Sequence, residues 1–180
     1  MAIPRLAAVP PSPARAKILH EALAGTGIEL VATLPETWLV PLLRALDGDP
    51  GIRVVEVAKE DEAVGIAMGA HLAGARAAAL MQNHGLFAAL NAVVSGAMLY
   101  RIPLLLLISD RGHLGERDPW QTEGGRHTRR VLDAVGIVRD DLVDPDDAAR
   151  KVRDAAELAE ASLAPVALLL TQRFLWEVPA

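Results

Sequence analysis

Cysteine is absent from the sequence, and aromatic residues make up only 3% of it. Without cysteine the chain has no disulfide framework, no thiolate ligand for a metal ion and no cysteine nucleophile. The absence also fits a reducing compartment, so we expect a cytoplasmic protein. A core with so few aromatic side chains has to be built mainly from Ala, Leu and Val.

Positive charge is also in short supply. The 18 Lys and Arg residues are outnumbered by 23 Asp and Glu, which gives a net charge of −5. This balance argues against nucleic acid or an anionic membrane as the principal partner. The apolar stretch 86–108 is interrupted by Asn91, Ser95, Arg101 and Pro103. We interpret it as a helix followed by a buried strand, not as a membrane span.

The length of 180 residues suits a single domain. Residues 1–14 contain four prolines and lack the continuous apolar core of a signal peptide. We therefore expect a mobile N-terminal arm over residues 1–14 and one folded domain over residues 15–180.

Strand-like and helix-like segments alternate along this domain. The strand-like runs cover residues 28–34, 53–57, 77–81, 103–108, 137–143 and 165–171. Such alternation is typical of parallel βαβ units. The sequence therefore predicts an α/β fold with one open, mainly parallel, six-stranded sheet and helices on both faces.

Local signals predict where the other segments begin and end. A first helix is expected over residues 14–26, a second is capped by Thr37 and runs to about residue 46, and a third begins at Glu60. Residues 82–85 are predicted to form a polar turn and residues 127–135 a helix. A charged helix is expected to begin at Asp144 or Asp146 and to end near residue 162, followed by the last strand and a tail, 172–180.

Polar residues follow three of the predicted strands. Glu60 follows the second, Asn83 to Gly85 follow the third, and Arg111 and His113 follow the fourth. Ligands of open α/β sheets bind outside the carboxyl ends of the strands. We expect Glu60 and the 83–85 segment to lie side by side there.

Alternative interpretations remain open for these residues. Glu60, Asp61 and Glu62 would all be stabilised by the dipole of a helix that begins at this point, and spacing alone does not choose among them. The histidines near predicted strand ends, His84, His113 and His127, match no compact metal site. We predict no metal site in this chain.

Three stretches, in order, carry a resemblance to a known family. Glu60-x-x-Ala63-x-x-x-Ala67-x-Gly69 resembles the glutamate helix in the pyrimidine-binding domain of thiamine-diphosphate enzymes. Residues 81–86 with Asn91 resemble a segment of sulfopyruvate and phosphonopyruvate decarboxylases, as do residues 100–108 followed by Arg111-Gly112. The same group's loop and helix are matched by Asp118, Gln121, Gly125, Thr128 and Leu132. The likeness covers about residues 15–172.

The resemblance implies roles for individual residues. Glu60 would hydrogen-bond N1′ of the aminopyrimidine of thiamine diphosphate and favour its imino form, leaving Asp61 and Glu62 as helix-dipole residues. Asn83, His84 and Gly85 would contact the cofactor. A 2-oxo acid with a 3-sulfonate or 3-phosphonate group needs cationic or amide donors, and Asn83, His84, Arg111 and His113 are candidates. For Arg111 the alternative is a solvated side chain or a salt bridge to Asp110.

The resemblance also predicts a partner. No Gly-Asp-Gly followed by Asn at the spacing of a diphosphate and Mg²⁺ site occurs in the sequence. The chain therefore resembles a separate alpha subunit, whose beta subunit supplies the diphosphate and Mg²⁺ half. The small-residue helix 63–74 suits close packing, so alpha is expected to form a homodimer or higher oligomer. His84 stands where the family usually has Ser, and Phe87-Ala88 where it has Gly-Asn.

Two other functions stay open at this point. One is a subunit of another two-subunit thiamine-diphosphate lyase that acts on a different 2-oxo acid. The other is a non-catalytic α/β interaction module derived from such a subunit. A nicotinamide-binding domain is disfavoured, because no Gly-x-Gly-x-x-Gly follows the first strand.

Overall fold

The structure, a computed structural model, describes residues 11–177. Six strands form one sheet, and every neighbouring pair is parallel. They are β1 (Leu30–Thr33), β2 (Arg53–Glu56), β3 (Ala77–Gln82), β4 (Leu104–Asp110), β5 (Val138–Leu142) and β6 (Pro165–Thr171). Their order in the sheet is β2-β1-β3-β4-β6-β5. The predicted six-stranded α/β sheet is confirmed, and it is parallel throughout.

Seven α-helices are found among the described residues. They are α1 (Pro13–Ala24), α2 (Val40–Asp47), α3 (Glu60–Leu72), α4 (Asn83–Ala92), α5 (Thr122–Val135), α6 (Ala148–Ser162) and α7 (Gln172–Leu175). A π-helical segment, Val93–Met98, continues α4. Short 3-10 turns precede α5 at Pro119–Gln121 and α6 at Pro145–Asp147.

The helices cover both faces of the sheet, as predicted. On one face the core joins side chains of α1, α2, α6 and α7 to residues of the sheet. On the other face, residues of α3, α4, the π-helical segment and α5 form a second core. The central strands β4 and β6 are almost wholly buried because both of their faces are covered.

Several predicted boundaries differ from the structure. The predicted cap at Thr37 is wrong, because residues 37–39 form a turn and α2 begins at Val40. Pro41 lies in the first turn of α2, where a missing backbone N–H costs no hydrogen bond. The predicted polar turn over 82–85 is wrong, because α4 begins directly at Asn83. The predicted tail contains α7, whose start is fixed by the N–H of Phe174 donating to Thr171 Oγ1.

Two helices begin elsewhere than predicted. Helix α5 begins at Thr122, five residues before the expected start at residue 127. The predicted start of α6 at Asp144 or Asp146 is also wrong: Asp144 caps the 3-10 turn by accepting from the N–H of Asp146, and α6 follows at Ala148. A short 3-10 turn thus separates Asp144 from the first residue of α6.

The predicted N-terminal arm lies largely outside the described residues, which leave out 1–10 and 178–180. Within the described part, Ser12 caps α1, and its N–H donates to the carbonyl of Leu175 at 2.8 Å. Residues 12–14 therefore belong to the folded domain. Over residues 11–177, no helix is both long enough and apolar enough to cross a bilayer.

Candidate active site at the carboxyl edge of the sheet

Two helices bring Glu60 and Gly85 together at the carboxyl edge. Glu60 is the first residue of α3 and Gly85 the third residue of α4. A Cβ placed on Gly85 would lie 2.6 Å from Glu60 Oε1 and 2.7 Å from its Cγ, far inside van der Waals contact. Only glycine leaves this space for the Glu60 side chain. The predicted proximity of the two segments is confirmed.

The three acidic residues at the start of α3 are not equivalent. Asp61 Oδ1 accepts from the N–H of Glu62, and Glu62 Oε2 accepts from the N–H groups of Ala58 and Lys59 at 2.9 and 3.3 Å. Both are exposed and cap the helix, whereas Glu60 is half-buried. Its carboxyl group has no hydrogen bond or ion pair with any residue in the range 11–177. Glu60 alone of the three is therefore available to a ligand.

Asn83 is fully buried beneath this site. Its Oδ1 accepts from the N–H of Arg111 at 2.7 Å, and its Nδ2 donates to Thr128 Oγ1 at 2.8 Å. A longer contact of 3.4 Å reaches Asp110 Oδ1. The amide thus ties the start of α4 to the end of β4 and to α5. Its predicted contact with cofactor or substrate stays a prediction, and the contacts seen are all internal.

His84 lies on the outer side of the first turn of α4 and is exposed. Its Nε2 is 3.0 Å from the carbonyl oxygen of Trp120. Gly124 makes room for the ring, since a Cβ there would lie 2.8 Å from His84 Nε2. The imidazole therefore bridges α4 to the segment before α5, at the entrance to the edge.

Arg111 is buried and surrounded by carboxylates. Its guanidinium donates two hydrogen bonds to Glu116, each 3.1 Å long, and one of 2.8 Å to Asp118. Glu36 Oε2 lies 4.0 Å from Nη1, and the guanidinium stacks over Trp38 at 4.6 Å. Neither a solvated side chain nor a salt bridge to Asp110 describes this arginine. Through these contacts it anchors the loop 111–118.

His113 lies on the other side of the same loop. Its Nε2 is 2.8 Å from Asp110 Oδ1 and 3.0 Å from Arg129 Nη1. Asp110 is buried and receives two further hydrogen bonds from Arg129, which also reaches Asp141 at 2.7 Å. His113 is nearly half exposed and so remains accessible at the edge.

Three further charged residues lie at this edge that are not among the predicted site residues: Glu36, Glu116 and Arg129. Glu36 follows the carboxyl end of β1, and that position was a usable signal. Nothing in the spacing of Glu116 or Arg129 indicates their partners, because these pairs form only when the loop 111–118 folds back on β4 and α5.

The arrangement offers two chemical capabilities. A half-buried carboxyl group with no protein partner can bind a polar ligand atom and exchange a proton with it. The N–H groups at the start of α4 lie on the same edge, and a helix N-terminus favours anionic or polar ligand atoms. Over residues 11–177, no three His, Asp or Glu side chains are grouped to hold a metal ion.

Comparison with known proteins gives consistent matches. Residues 15–134 match the family described as thiamine pyrophosphate enzyme, N-terminal TPP binding domain. The alpha subunit of sulfopyruvate decarboxylase from Methanococcus maripaludis is 36% identical over 159 residues, which are 88% of this chain and 95% of that protein. The alpha subunit from Methanocaldococcus jannaschii is 35% identical, with 88% and 94% of the two chains covered.

Two further matches concern longer proteins. Phosphonopyruvate decarboxylase from Streptomyces viridochromogenes is 33% identical over 162 residues, or 87% of this chain and 40% of that enzyme. The solved structure of 2-oxoglutarate:ferredoxin oxidoreductase from Magnetococcus marinus superposes with a TM-score of 0.69 and 19% identity. It covers 90% of this chain and 29% of the other, and supports the fold alone.

Proposed function

The chain belongs to the thiamine pyrophosphate enzymes, as a pyrimidine-binding subunit akin to the alpha subunit of sulfopyruvate decarboxylase, and we propose that it takes part in decarboxylating a small anionic 2-oxo acid. The proposed substrates are 3-sulfopyruvate, which would give sulfoacetaldehyde and CO₂, and phosphonopyruvate. The decarboxylase relatives named for these two acids support that choice. We place the reaction in the cytoplasm.

The observation that carries the proposal is the carboxyl group of Glu60, which lies against Gly85 and makes no hydrogen bond to any of residues 11–177. Thiamine diphosphate supplies the electron sink for loss of CO₂ when it is bound. We propose that Glu60 hydrogen-bonds N1′ of its aminopyrimidine and exchanges a proton with it. The proposal is supported by the position of this carboxyl group, which lies against Gly85 of α4 and has no hydrogen-bond partner among residues 11–177.

The neighbouring residues would support that contact. Gly85 leaves the space that the Glu60 side chain needs, and we propose it as part of the cofactor site. Asn83 holds the start of α4 in place from below. His84 and Asn83 remain our predicted cofactor and substrate contacts, His84 being the more accessible of the two.

On the substrate side, His113 is the more exposed candidate. It lies beside Arg129 and Asp110 at the edge, where an anionic group would meet it directly. Arg111 stays a predicted anion contact, but its contacts with Glu116 and Asp118 favour a role in anchoring the loop.

We propose a beta subunit as the obligatory partner. Residues 11–177 contain no group of acidic side chains suited to Mg²⁺, and relatives that align over most of their length are named as alpha subunits. In the proposed complex the beta subunit would hold the diphosphate and Mg²⁺. A homodimer or higher oligomer of alpha is part of the same proposal.

The test is reconstitution. The purified chain should show no decarboxylation with thiamine diphosphate and Mg²⁺, and activity should appear when a second polypeptide carrying the Gly-Asp-Gly…Asn pattern is added. A panel of sulfopyruvate, phosphonopyruvate and pyruvate then ranks the substrates by kcat/KM. Turnover by the chain with no other protein present contradicts the two-subunit proposal. A strong preference for an uncharged 2-oxo acid contradicts the substrate class.

A further inference from the structure

A second carboxyl group, Glu36, lies at the same edge but on the opposite face of the sheet from Glu60. Thr33 ends β1 and Ser109 lies near the end of β4; their chain neighbours Ala32 and Ile108 pack into the core on the Glu60 face. Because side chains alternate along a strand, Thr33 and Ser109 point to the other face. Glu36 lies there with Trp38 and Arg111.

Buried oxygen atoms without partners concentrate at this place. Thr33 Oγ1, Glu36 Oε1 and Ser109 Oγ are all buried and form no hydrogen bond of good geometry with residues 11–177, although the Ser109 hydroxyl lies near enough to Glu36 to lower its pKa. The side chain of Glu36 is 8% exposed. Its other oxygen, Oε2, accepts from the N–H of Trp38 at 2.9 Å. A buried carboxylate with a free oxygen is costly unless it is neutral or fully paired.

The charges around Glu36 do not balance if it is ionised. The cation that Glu36 contacts, Arg111, is already hydrogen-bonded to Glu116 and Asp118 and lies 4.0 Å from Glu36. Burial raises the pKa of Glu36, although the Trp38 N–H, the Ser109 hydroxyl and Arg111 act against it. Burial acts the same way on Glu116, yet hydrogen bonds from Arg111 and from backbone N–H groups lower its pKa. Glu36 and Glu116 both lie beside Arg111, yet the pKa of Glu36 is raised and the pKa of Glu116 is lowered.

We propose that Glu36 is a positioning residue that works as a neutral acid: its proton pairs it with Ser109, leaves the guanidinium of Arg111 to Glu116 and Asp118, and keeps one negative charge away from the edge. The inference rests on the proposed function, since that edge is where an anionic 2-oxo acid would bind. Ionised, Glu36 would compete for Arg111, disturb the loop 111–118 and repel the substrate.

The pH dependence follows from linkage. Because the pKa of Glu36 is raised above its ordinary value of 4.5, the folded chain binds this proton more tightly than the unfolded chain. The stability that Glu36 contributes is present at low pH and is lost as the pH rises through the folded pKa. Glu36→Gln is permanently neutral and has almost the same shape. Its stability relative to wild type should therefore increase as the pH rises, and the matched exposed variant Glu29→Gln should show no such trend.

The first experiment uses the chain by itself and needs no cofactor. Thermal unfolding of wild type, Glu36→Gln and Glu29→Gln is followed between pH 5 and pH 8. The expected result is a difference between Glu36→Gln and wild type that grows in favour of the variant with pH. A constant difference, or one that turns against the variant, overturns the inference. If the variant does not fold, infrared spectroscopy of wild type between pH 5 and pH 8 decides: a carboxylic acid band that titrates above the range of exposed carboxyl groups is expected, and a band that titrates together with them overturns the inference.

The second experiment asks whether this carboxyl positions the loop for the proposed reaction. In the reconstituted complex, Glu36→Ala should raise KM for the anionic 2-oxo acid about tenfold, the effect of losing one buried hydrogen bond, with a smaller change in kcat. Glu36→Gln should restore KM and flatten its rise with pH. A KM that stays raised in Glu36→Gln means that a charged Glu36 is required. An inactive wild-type complex instead defeats the proposed function and leaves the unfolding test valid.

Discussion

The carboxyl edge of the sheet has two unlike sides. On the Glu60 side, a half-buried carboxyl group faces a glycine and has no partner among residues 11–177. On the Arg111 side, a buried guanidinium is held by Glu116 and Asp118 and stacks on Trp38. The carboxyl group of Glu60 can therefore hydrogen-bond to a ligand, whereas the guanidinium of Arg111 is already hydrogen-bonded within the protein. Charged residues at a strand end therefore indicate a site only where their hydrogen bonds are left open.

The largest effect is expected for Glu60→Gln. The amide keeps the shape of the side chain but cannot exchange a proton at N1′, so turnover of the reconstituted complex should fall by about 10²–10⁴-fold. Assembly and cofactor binding should remain. NMR exchange of the C2 proton of thiamine diphosphate into deuterated water should slow in parallel. Normal turnover in an active complex would remove the basis for treating the Glu60 side as the ligand side.

Arg111→Ala tests the other side. Removing the guanidinium leaves the buried carboxylate of Glu116 without its partner, which is expected to cost about 3–5 kcal/mol of stability. Urea unfolding of the chain measures this loss. In the complex, KM for sulfopyruvate and for pyruvate should then change by a similar factor. A rise of about ten- to a hundredfold confined to the sulfonated substrate would instead show that Arg111 reads the distal anion.

Gly85→Ala tests whether the Glu60 side depends on close contact. The added Cβ would lie 2.6 Å from Glu60 Oε1, so the flexible side chain of Glu60 has to move away from its position. Activity should fall because Glu60 is displaced. Gly48→Ala, directly after α2, is the control: the added Cβ would come no closer than 3.4 Å to another residue, the carbonyl oxygen of Arg44, which is an ordinary van der Waals contact. Equal losses in both variants would argue against a specific contact.

The smallest effects are expected for Asp61→Asn and Glu62→Gln. Both side chains are exposed and accept backbone hydrogen bonds at the start of α3, so each change should cost only a few tenths of a kcal/mol from the helix dipole. Turnover should stay close to wild type. If Glu62→Gln abolishes turnover while Glu60→Gln does not, the catalytic carboxyl group is that of Glu62 and not that of Glu60.

Much of the Glu60 side could be predicted from the sequence. Alternating apolar runs predict the strands, and the small residues after Glu60 predict a helix that packs closely on its neighbour. The parallel order then places the ends of β2 and β3 at one edge. Residues 82–85 were misread as a turn because their polar side chains are typical of turns. In the structure Asn83 is the first residue of α4, and its side chain hydrogen-bonds to Arg111 and Thr128, which are distant in the chain.

The sequence by itself determined the α/β alternation and the position of Glu60 at a strand end, because both depend on short-range periodicity and on the geometry of parallel strands. Only the tertiary structure decided which charges are paired. Glu36 and Arg111 are 75 positions apart in the chain, and Asp110 and Arg129 are 19 apart. Such contacts depend on how the loops fold over the edge, and no local pattern records them. The same chemistry, an acidic residue after a strand, therefore became a carboxyl group without a partner among residues 11–177 at Glu60 and a buried, partly paired carboxyl group at Glu36.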